Sequence, residues 1–237
     1  MGEAICVISG KGGTGKTTVC AAVASCLAAE GKKVLCIDAD VGLRNLDIAL
    51  GMAELPVLAF TEVMQGNYAL AEATPHPELP GLFLLTAPAR GGERNIDPAA
   101  FARLLREAKK DFDFCMIDSA AGIGDGFRLS TGAADLCILV STPDPASMRD
   151  AACTADLLAL HGGKEARLVV NRVSPRMFSR MELTVDDIMD SVGLPLLGLV
   201  PEDPEVVLAA AQGTALIFAA EDGAAEACLR ISRRLRG

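Results

Sequence analysis

The 237-residue sequence contains no tryptophan and a single tyrosine, so its core cannot be built around large rings. Hydrophobic residues still make up 51% of the chain, and with aromatics at only 4% that core has to be aliphatic and alanine-rich. Basic residues are in deficit as well: 22 Lys and Arg stand against 31 Asp and Glu, a formal net charge of −9. A nucleic-acid binder needs a basic footprint, so DNA is not the expected partner. No apolar run is long enough to cross a bilayer, and Met1-Gly2-Glu3 leads straight into a strand-like run with no room for a signal peptide. Myristoylation of Gly2 is excluded by its own pattern, which wants Ser or Thr where Cys6 stands. The expected location is cytoplasmic. No C-x-x-C spacing occurs among the eight cysteines, which removes the usual zinc, redox and cluster-ligand arrangements. Cys6, Cys36, Cys115 and Cys137 fall inside apolar runs, where a thiol behaves as a small hydrophobe, and the pattern points to a reducing compartment.

What is present is an alternation. Apolar runs at 4–8, 34–37, 82–85, 114–117, 136–140, 168–170 and 196–200 read as strands buried on both faces, as a parallel sheet covered by helices demands. Between the first two, Val19, Ala22, Val23, Cys26 and Leu27 fall at i, i+3, i+4, i+7 and i+8, one face of a helix, and Gly31 follows as its stop. Helices are also expected at 98–110, 145–160, 183–192, 204–211 and 223–236. The β-α-β-α order specifies an α/β fold, a doubly wound, mostly parallel sheet with helices on both faces. Residues 74–81, with three prolines, read as a surface loop. Nothing in the chain resembles a linker, so one domain spanning 1–237 is expected.

The first run ends in Ser9, and Gly10, Lys11, Gly12, Gly13, Thr14, Gly15, Lys16, Thr17 and Thr18 follow as the first helix opens. These residues contain G-x-x-x-x-G-K-T between a strand and a helix, the context that turns the motif into a phosphate site of a P-loop NTPase. The glycines let backbone N–H groups turn inward around phosphate oxygens, and the helix N-terminus adds partial positive charge. Lys16 is placed to reach the β- and γ-phosphates, and the Thr17 hydroxyl to ligate Mg²⁺. Asp38 and Asp40, two apart where the second run ends, point to one side, toward the crevice where open α/β sheets bind ligands. Strand-end solubility or helix capping is their plainer reading. The run at 114–117 ends in Asp118, the Walker B arrangement for holding Mg²⁺ directly or through water.

Lys11 is the unusual member of the loop. With it, Lys-Gly-Gly-Thr-Gly-Lys-Thr-Thr resembles the deviant Walker A loop of the MinD/ParA family of ATPases position for position. Residues 38–47, Asp-Ala-Asp-Val-Gly-Leu-Arg-Asn-Leu-Asp, resemble the first switch of that family's MinD branch. Residues 118–123 resemble its second switch, with Ala120 where the family usually has proline; a freer backbone there affects rate rather than nucleotide binding. The resemblance implies an ATPase that dimerises around ATP and hydrolyses it slowly. It implies that Lys11 crosses to the partner subunit's phosphates, that Asp38 holds Mg²⁺ through water, and that Asp40 orients the attacking water. Asn171 and Arg172, and then Pro201, Glu202 and Asp203, resemble the segments that hold adenine. Taken alone, Asn171 is an ordinary strand-end turn residue and Pro-Glu-Asp an ordinary helix start. The G-protein Asn-Lys-x-Asp signature is missing, which favours ATP over GTP. Ser147-Met148-Arg149-Asp150 resembles the family's dimer and partner face and reads equally well as a capped helix start.

The output implied by the resemblance is cell-division site selection or other spatial positioning, through an ATP-dependent homodimer and regulatory proteins of the MinC and MinE kind. A ParA-like DNA-partitioning ATPase and a flagellar-number regulator of the FlhG type use the same engine. Members that bind membrane carry a C-terminal amphipathic helix after the last domain helix. Here 224–237 aligns with that last helix, so no anchor is expected, and a position peripheral to the inner face of the membrane stays open. The segment is basic at Arg230, Arg233, Arg234 and Arg236 and apolar at Cys228, Leu229, Ile231 and Leu235. It reads as the final domain helix, as a short interfacial helix, or as a patch for an acidic surface.

Overall fold

The computed structural model describes residues 1–41, 43–88, 96–160 and 164–236, with only the backbone of Met177. Gly42 of the first switch segment lies outside the described residues. The strands are β1 (Glu3–Ile8), β2 (Val34–Ala39), β3 (Thr74–Pro75), β4 (Leu82–Leu85), β5 (Phe114–Ser119), β6 (Leu136–Ser141), β7 (Glu165–Val173) and β8 (Leu196–Pro201). The helices are α1 (Lys16–Ala29), α2 (Leu46–Ala49), α3 (Phe60–Met64), α4 (Pro98–Asp111), α5 (Asp125–Ala133) and α6 (Pro145–Leu160). After them come α7 (Pro175–Met181), α8 (Val185–Val192), α9 (Glu205–Ala211), α10 (Leu216–Ala219) and α11 (Gly223–Leu235).

The strands form one eight-stranded sheet in the order β3-β4-β2-β5-β1-β6-β7-β8. Its pairs are parallel except β3 with β4. Successive side chains on a strand point to opposite faces, and β1 shows the consequence. Ile5 and Val7 enter the apolar cluster that includes α1 and α11, while Ala4, Cys6 and Ile8 enter the one under α4, α5, α6 and α8. Both faces being covered explains why these strands read as unbroken apolar runs. The chain leaves β1 toward β2 on one side, and β6 lies on the other, so the C-terminal end of β1 opens a switch-point crevice.

Two expectations needed correction. The first helix is not amphipathic: Val19, Ala22, Val23, Cys26 and Leu27 are buried as expected, but so are Cys20, Ala21, Ala24, Ser25 and Ala28. Small residues let α1 lie between the sheet and α11, so both of its sides are covered. Residues 74–81 are not all loop, because Thr74 and Pro75 pair antiparallel with Leu84 and Phe83 to form an edge strand. A proline is tolerated at such an edge. Gly31 does end the region of α1, with φ +82° and its N–H on the Ala28 carbonyl. α8 starts at Val185, two residues later than expected, because Thr184 forms a capping box with Asp187.

α11 buries Ala224, Ala225, Cys228 and Ile231 against α1 and β8. Its arginines are occupied locally. Arg230 pairs with Glu226, Arg233 and Arg236 both pair with Glu30 at the end of α1, and Arg234 donates to the Leu197 carbonyl. The apolar stripe of this basic helix is therefore core, which is the final-domain-helix reading.

Candidate functional site

The phosphate loop leaves β1 at Ile8. The Ser9 hydroxyl donates to the Lys11 carbonyl at 2.9 Å, turning the chain at once. Gly10 passes so close to α6 that an added Cβ would stand 2.6 Å from the Asp150 carbonyl oxygen. Gly15 precedes α1 with φ +89°, and a Cβ there would lie 2.1 Å from Asn171 Nδ2. That amide donates to the Thr14 carbonyl at 2.8 Å, so Asn171, at the end of β7, clamps the loop from the side. No side chain caps α1. Its first N–H groups have no intrahelical partner and are a ready anion site.

Beneath the loop lies a compact set of charges. Lys16 Nζ is 2.6 Å from Asp118 Oδ1, and both side chains are buried. Asp38 sits beside Asp118 in the β2–β5 register. Its two oxygens accept from the Asp40 N–H at 2.9 Å and the Leu46 N–H at 3.1 Å, which ties the first switch to the strand end. Burial, and then the neighbouring Asp118 carboxylate, push Asp38 up to about 7. Burial also raises Asp118, opposed by the Lys16 ammonium and the Thr17 hydroxyl. Two like charges this close are relieved by a cation, and Asp118 Oδ2 is a buried acceptor with no hydrogen bond. Among the described residues no group of three or more His, Cys, Asp or Glu forms a ready-made metal cage. The adjacent Asp38 and Asp118 carboxylates fit Mg²⁺, which keeps several waters and takes one or two carboxylates plus substrate phosphates.

Two cavities open above this floor. One of about 400 Å³ is lined by Gly12, Gly13, Thr14, Gly15, Lys16, Thr17, Thr18 and Asp40, with Leu43, Asn45 and Ile48 from the first switch region. The other, of about 470 Å³, is lined by Asn171, Arg172, Pro201, Glu202 and Asp203, with apolar Val19, Val200, Val206 and Leu216. Gly15, Thr18 and Arg172 line both, so the two are halves of one cleft. Arg172 holds φ +55°, a left-handed backbone at the irregularity between β7 and β8 that brings it over the junction. The Asp203 carboxylate faces structural work: it accepts from the Glu205 and Ala224 N–H groups at 2.9 and 2.8 Å, capping the starts of α9 and α11. Asp38, Asp118 and Gly10 are not part of the lining of either cavity.

Lys11 is the one loop lysine that the fold turns away. It lines neither cavity, and its ammonium stands 3.3 Å from Asp144 Oδ1, between β6 and α6. Sequence reasoning missed Asp144, since an Asp-Pro step at a helix start signals only a cap. It also passed over Leu43 and Ile48, exposed apolar residues at the cleft mouth. In the second switch, the Gly122 N–H donates to the Ser9 carbonyl at 3.0 Å, holding that loop against the end of β1. An added Cβ on Gly126 would stand 2.8 Å from the Ala120 methyl, so position 120 packs on the first turn of α5.

A doubly wound sheet with its glycine loop, buried lysine and paired aspartates at the switch point is a P-loop nucleotide-binding protein. Residues 5–217 match the model of the CobQ/CobB/MinD/ParA nucleotide binding domain. The chain belongs to this family, and within it to the MinD group. It is 36% identical over 220 residues to the septum site-determining protein MinD of Synechocystis sp., an alignment covering 92% of this chain and 83% of that protein. Among solved structures it is similar to a chain of the MinC:MinD cell division protein complex of Aquifex aeolicus, with TM-score 0.91 and 34% identity, covering 99% of this chain and 96% of that one. It is also similar to the septum site-determining protein MinD of Pyrococcus horikoshii OT3 complexed with Mg-ADP, with TM-score 0.86 and 26% identity, covering 99% and 96%.

Proposed function

We propose that this chain is a MinD-type ATPase that works as an ATP-dependent dimerisation switch in cell-division site selection. The observation that carries the switch reading is the division of labour between the two loop lysines. Lys16 is buried in the floor of the cleft, whereas Lys11 points out of both cavities. A site that turns one of its cations away fits a cation intended for a neighbouring subunit.

The chemistry is attack of water on the terminal phosphorus of ATP, with ADP leaving. The N–H groups of the loop and of the first turn of α1 bind the phosphate oxygens, and Lys16 swings from Asp118 toward the β- and γ-phosphates. Thr17, with Asp38 and Asp118 behind it, would hold Mg²⁺, which would neutralise phosphate charge. Asp40, at the edge of the phosphate cavity, aligns the attacking water. Lys11 of a second copy supplies a cation to the charge that develops in the transition state. The apolar cavity beside Asn171 and Pro201 receives the adenine, and the exposed leucine and isoleucine at the cleft mouth meet the second copy.

Partners follow the family reading: a second copy of the chain and regulatory proteins of the MinC and MinE kind. Among the described residues no helix is long and apolar enough to cross a membrane. The DNA-partitioning and flagellar-number alternatives are not favoured. The curated relatives at 36% and 34% identity are MinD proteins, and the α11 arginines that would have formed a DNA patch are paired within the chain. The test is mass measurement of Asp40→Ala by size exclusion with light scattering. ATP should double its mass, and a further Lys11→Ala change should return it to the monomer. An Asp40→Ala profile that is the same with and without ATP would overturn the reading.

A further inference from the structure

The Asp144 carboxylate is fixed from three directions. The Thr142 hydroxyl donates to Oδ2 at 2.6 Å, the Ser147 N–H donates to Oδ1 at 3.0 Å, and the Lys11 ammonium stands 3.3 Å from Oδ1. The first two belong to the start of α6, where any good capping side chain would serve. The third does not. Lys11 reaches it from a loop 133 residues away in sequence and takes no part in capping α6. The Thr142 hydroxyl, with the Ser147 N–H and Lys11, holds the Asp144 carboxyl below the usual range, so it is charged at neutral pH.

We propose that Asp144 is a positioning residue for Lys11: it parks the ammonium within its own subunit, beside the nucleotide cleft and outside it. Lys11 must leave this carboxylate before it can cross to the phosphates of a partner, so the pair opposes dimerisation until ATP is bound on the other side. Asp144 cannot follow, because Thr142 and Ser147 hold it in place. This deepens the proposed function and rests on its reading of Lys11 as a residue that acts in trans.

The expected size is modest. The side chains are 38% and 44% exposed, and such pairs shift an equilibrium by roughly three-fold each. A symmetric dimer breaks two of them, about ten-fold in all. The test uses the full chain in the Asp40→Ala background with saturating MgATP. Sedimentation gives the protein concentration at half dimerisation for the parent, Asp144→Asn and Asp144→Ser. Asn and Ser both cap a helix start and both remove the charge. Each should lower the midpoint about ten-fold at low salt, with the advantage collapsing in about 0.5 M salt, where screening weakens the exposed pair. A loss of helix capping alone would lower the melting temperature and would not vanish with salt. Midpoints that are unchanged or higher in both variants overturn the proposal. Lys11→Ala in the same background separates the two readings. If it still dimerises with ATP, the trans role of Lys11 fails; if it does not, and the Asp144 variants leave the midpoint unmoved, only the parking role fails.

Discussion

Burying Lys16 and Asp118 to 6% and 1% exposure strips each of most of its hydration, and one contact of 2.6 Å does little more than offset that cost. The pair persists because its charges have another use once phosphate and metal arrive. Removing one partner exposes the imbalance. Lys16→Met should lower stability by about 3 kcal/mol in urea melts, since a buried carboxylate is left alone, and adding Asp118→Asn should recover most of that loss. Neither variant should gain the stabilisation that MgATP gives the parent, about 2.7 kcal/mol at a hundred times its Kd. A Lys16→Met chain as stable as the parent would refute this account of the pair. Both residues were legible in the sequence, because motif spacing fixes where their side chains go. Asn171 was legible only in part: the family pattern puts it among the cleft residues, but its amide donates to the Thr14 carbonyl, a contact across 157 residues that no local pattern carries. Asp144 was hidden for the same reason, its cap role being local and its lysine remote.

Elements that are covered on both faces announce themselves, and those at the rim do not. The seven expected strands are all present, since burial on two sides leaves no room for polar residues. Helices α2, α3, α7 and α10 went unread because four to seven residues show little of a helical period, and nine-residue α5 because Gly126 and Gly132 interrupt its pattern. The edge strand β3 hid behind its own proline, and what pins the chain after it is His76. The ring accepts from the Glu78 and Leu79 N–H groups at Nδ1, both at 3.1 Å, so Nδ1 is unprotonated and Nε2 donates to the Leu50 carbonyl at 2.8 Å. Burial holds its pKa below the ordinary 6.5, against the pull of the Leu50 carbonyl and the Glu78 charge. The unfolded chain therefore takes up a proton near pH 6.5 that the folded chain takes up only at lower pH. In that window the unfolded state binds more protons, so this contribution to stability falls as pH falls and levels off below the folded value. Asp38, raised to about 7, contributes with the opposite sign. The measurement is accordingly the difference in urea midpoint between the parent and His76→Gln across that range. The parent's advantage should shrink on acidification, and a difference independent of pH would refute the neutral, doubly accepting ring.

At the scale of the whole molecule, the proposed function divides the catalytic set of the nucleotide cleft between two subunits. Asp40 lines the phosphate cavity of its own subunit, and Lys11 lines none. The two residues can therefore be removed from different chains. Lys11→Ala alone and Asp40→Ala alone should each be inactive. In a mixed dimer, however, the Lys11→Ala subunit keeps its Asp40 and receives Lys11 from its partner, so one of the two sites is whole. Statistical exchange of equal amounts would make half of the dimers mixed, each with one working site, and the weaker dimerisation of the Lys11→Ala chain keeps the mixture below that ceiling of about a quarter of the parent rate. The recovered rate should also rise with total protein concentration, because a competent site exists only in a dimer. If Lys11 acted within its own subunit, every chain in the mixture would still lack one of the two groups. Mixing would then restore nothing at any concentration, and phosphate release from the mixture decides between the two arrangements without any need to see the dimer.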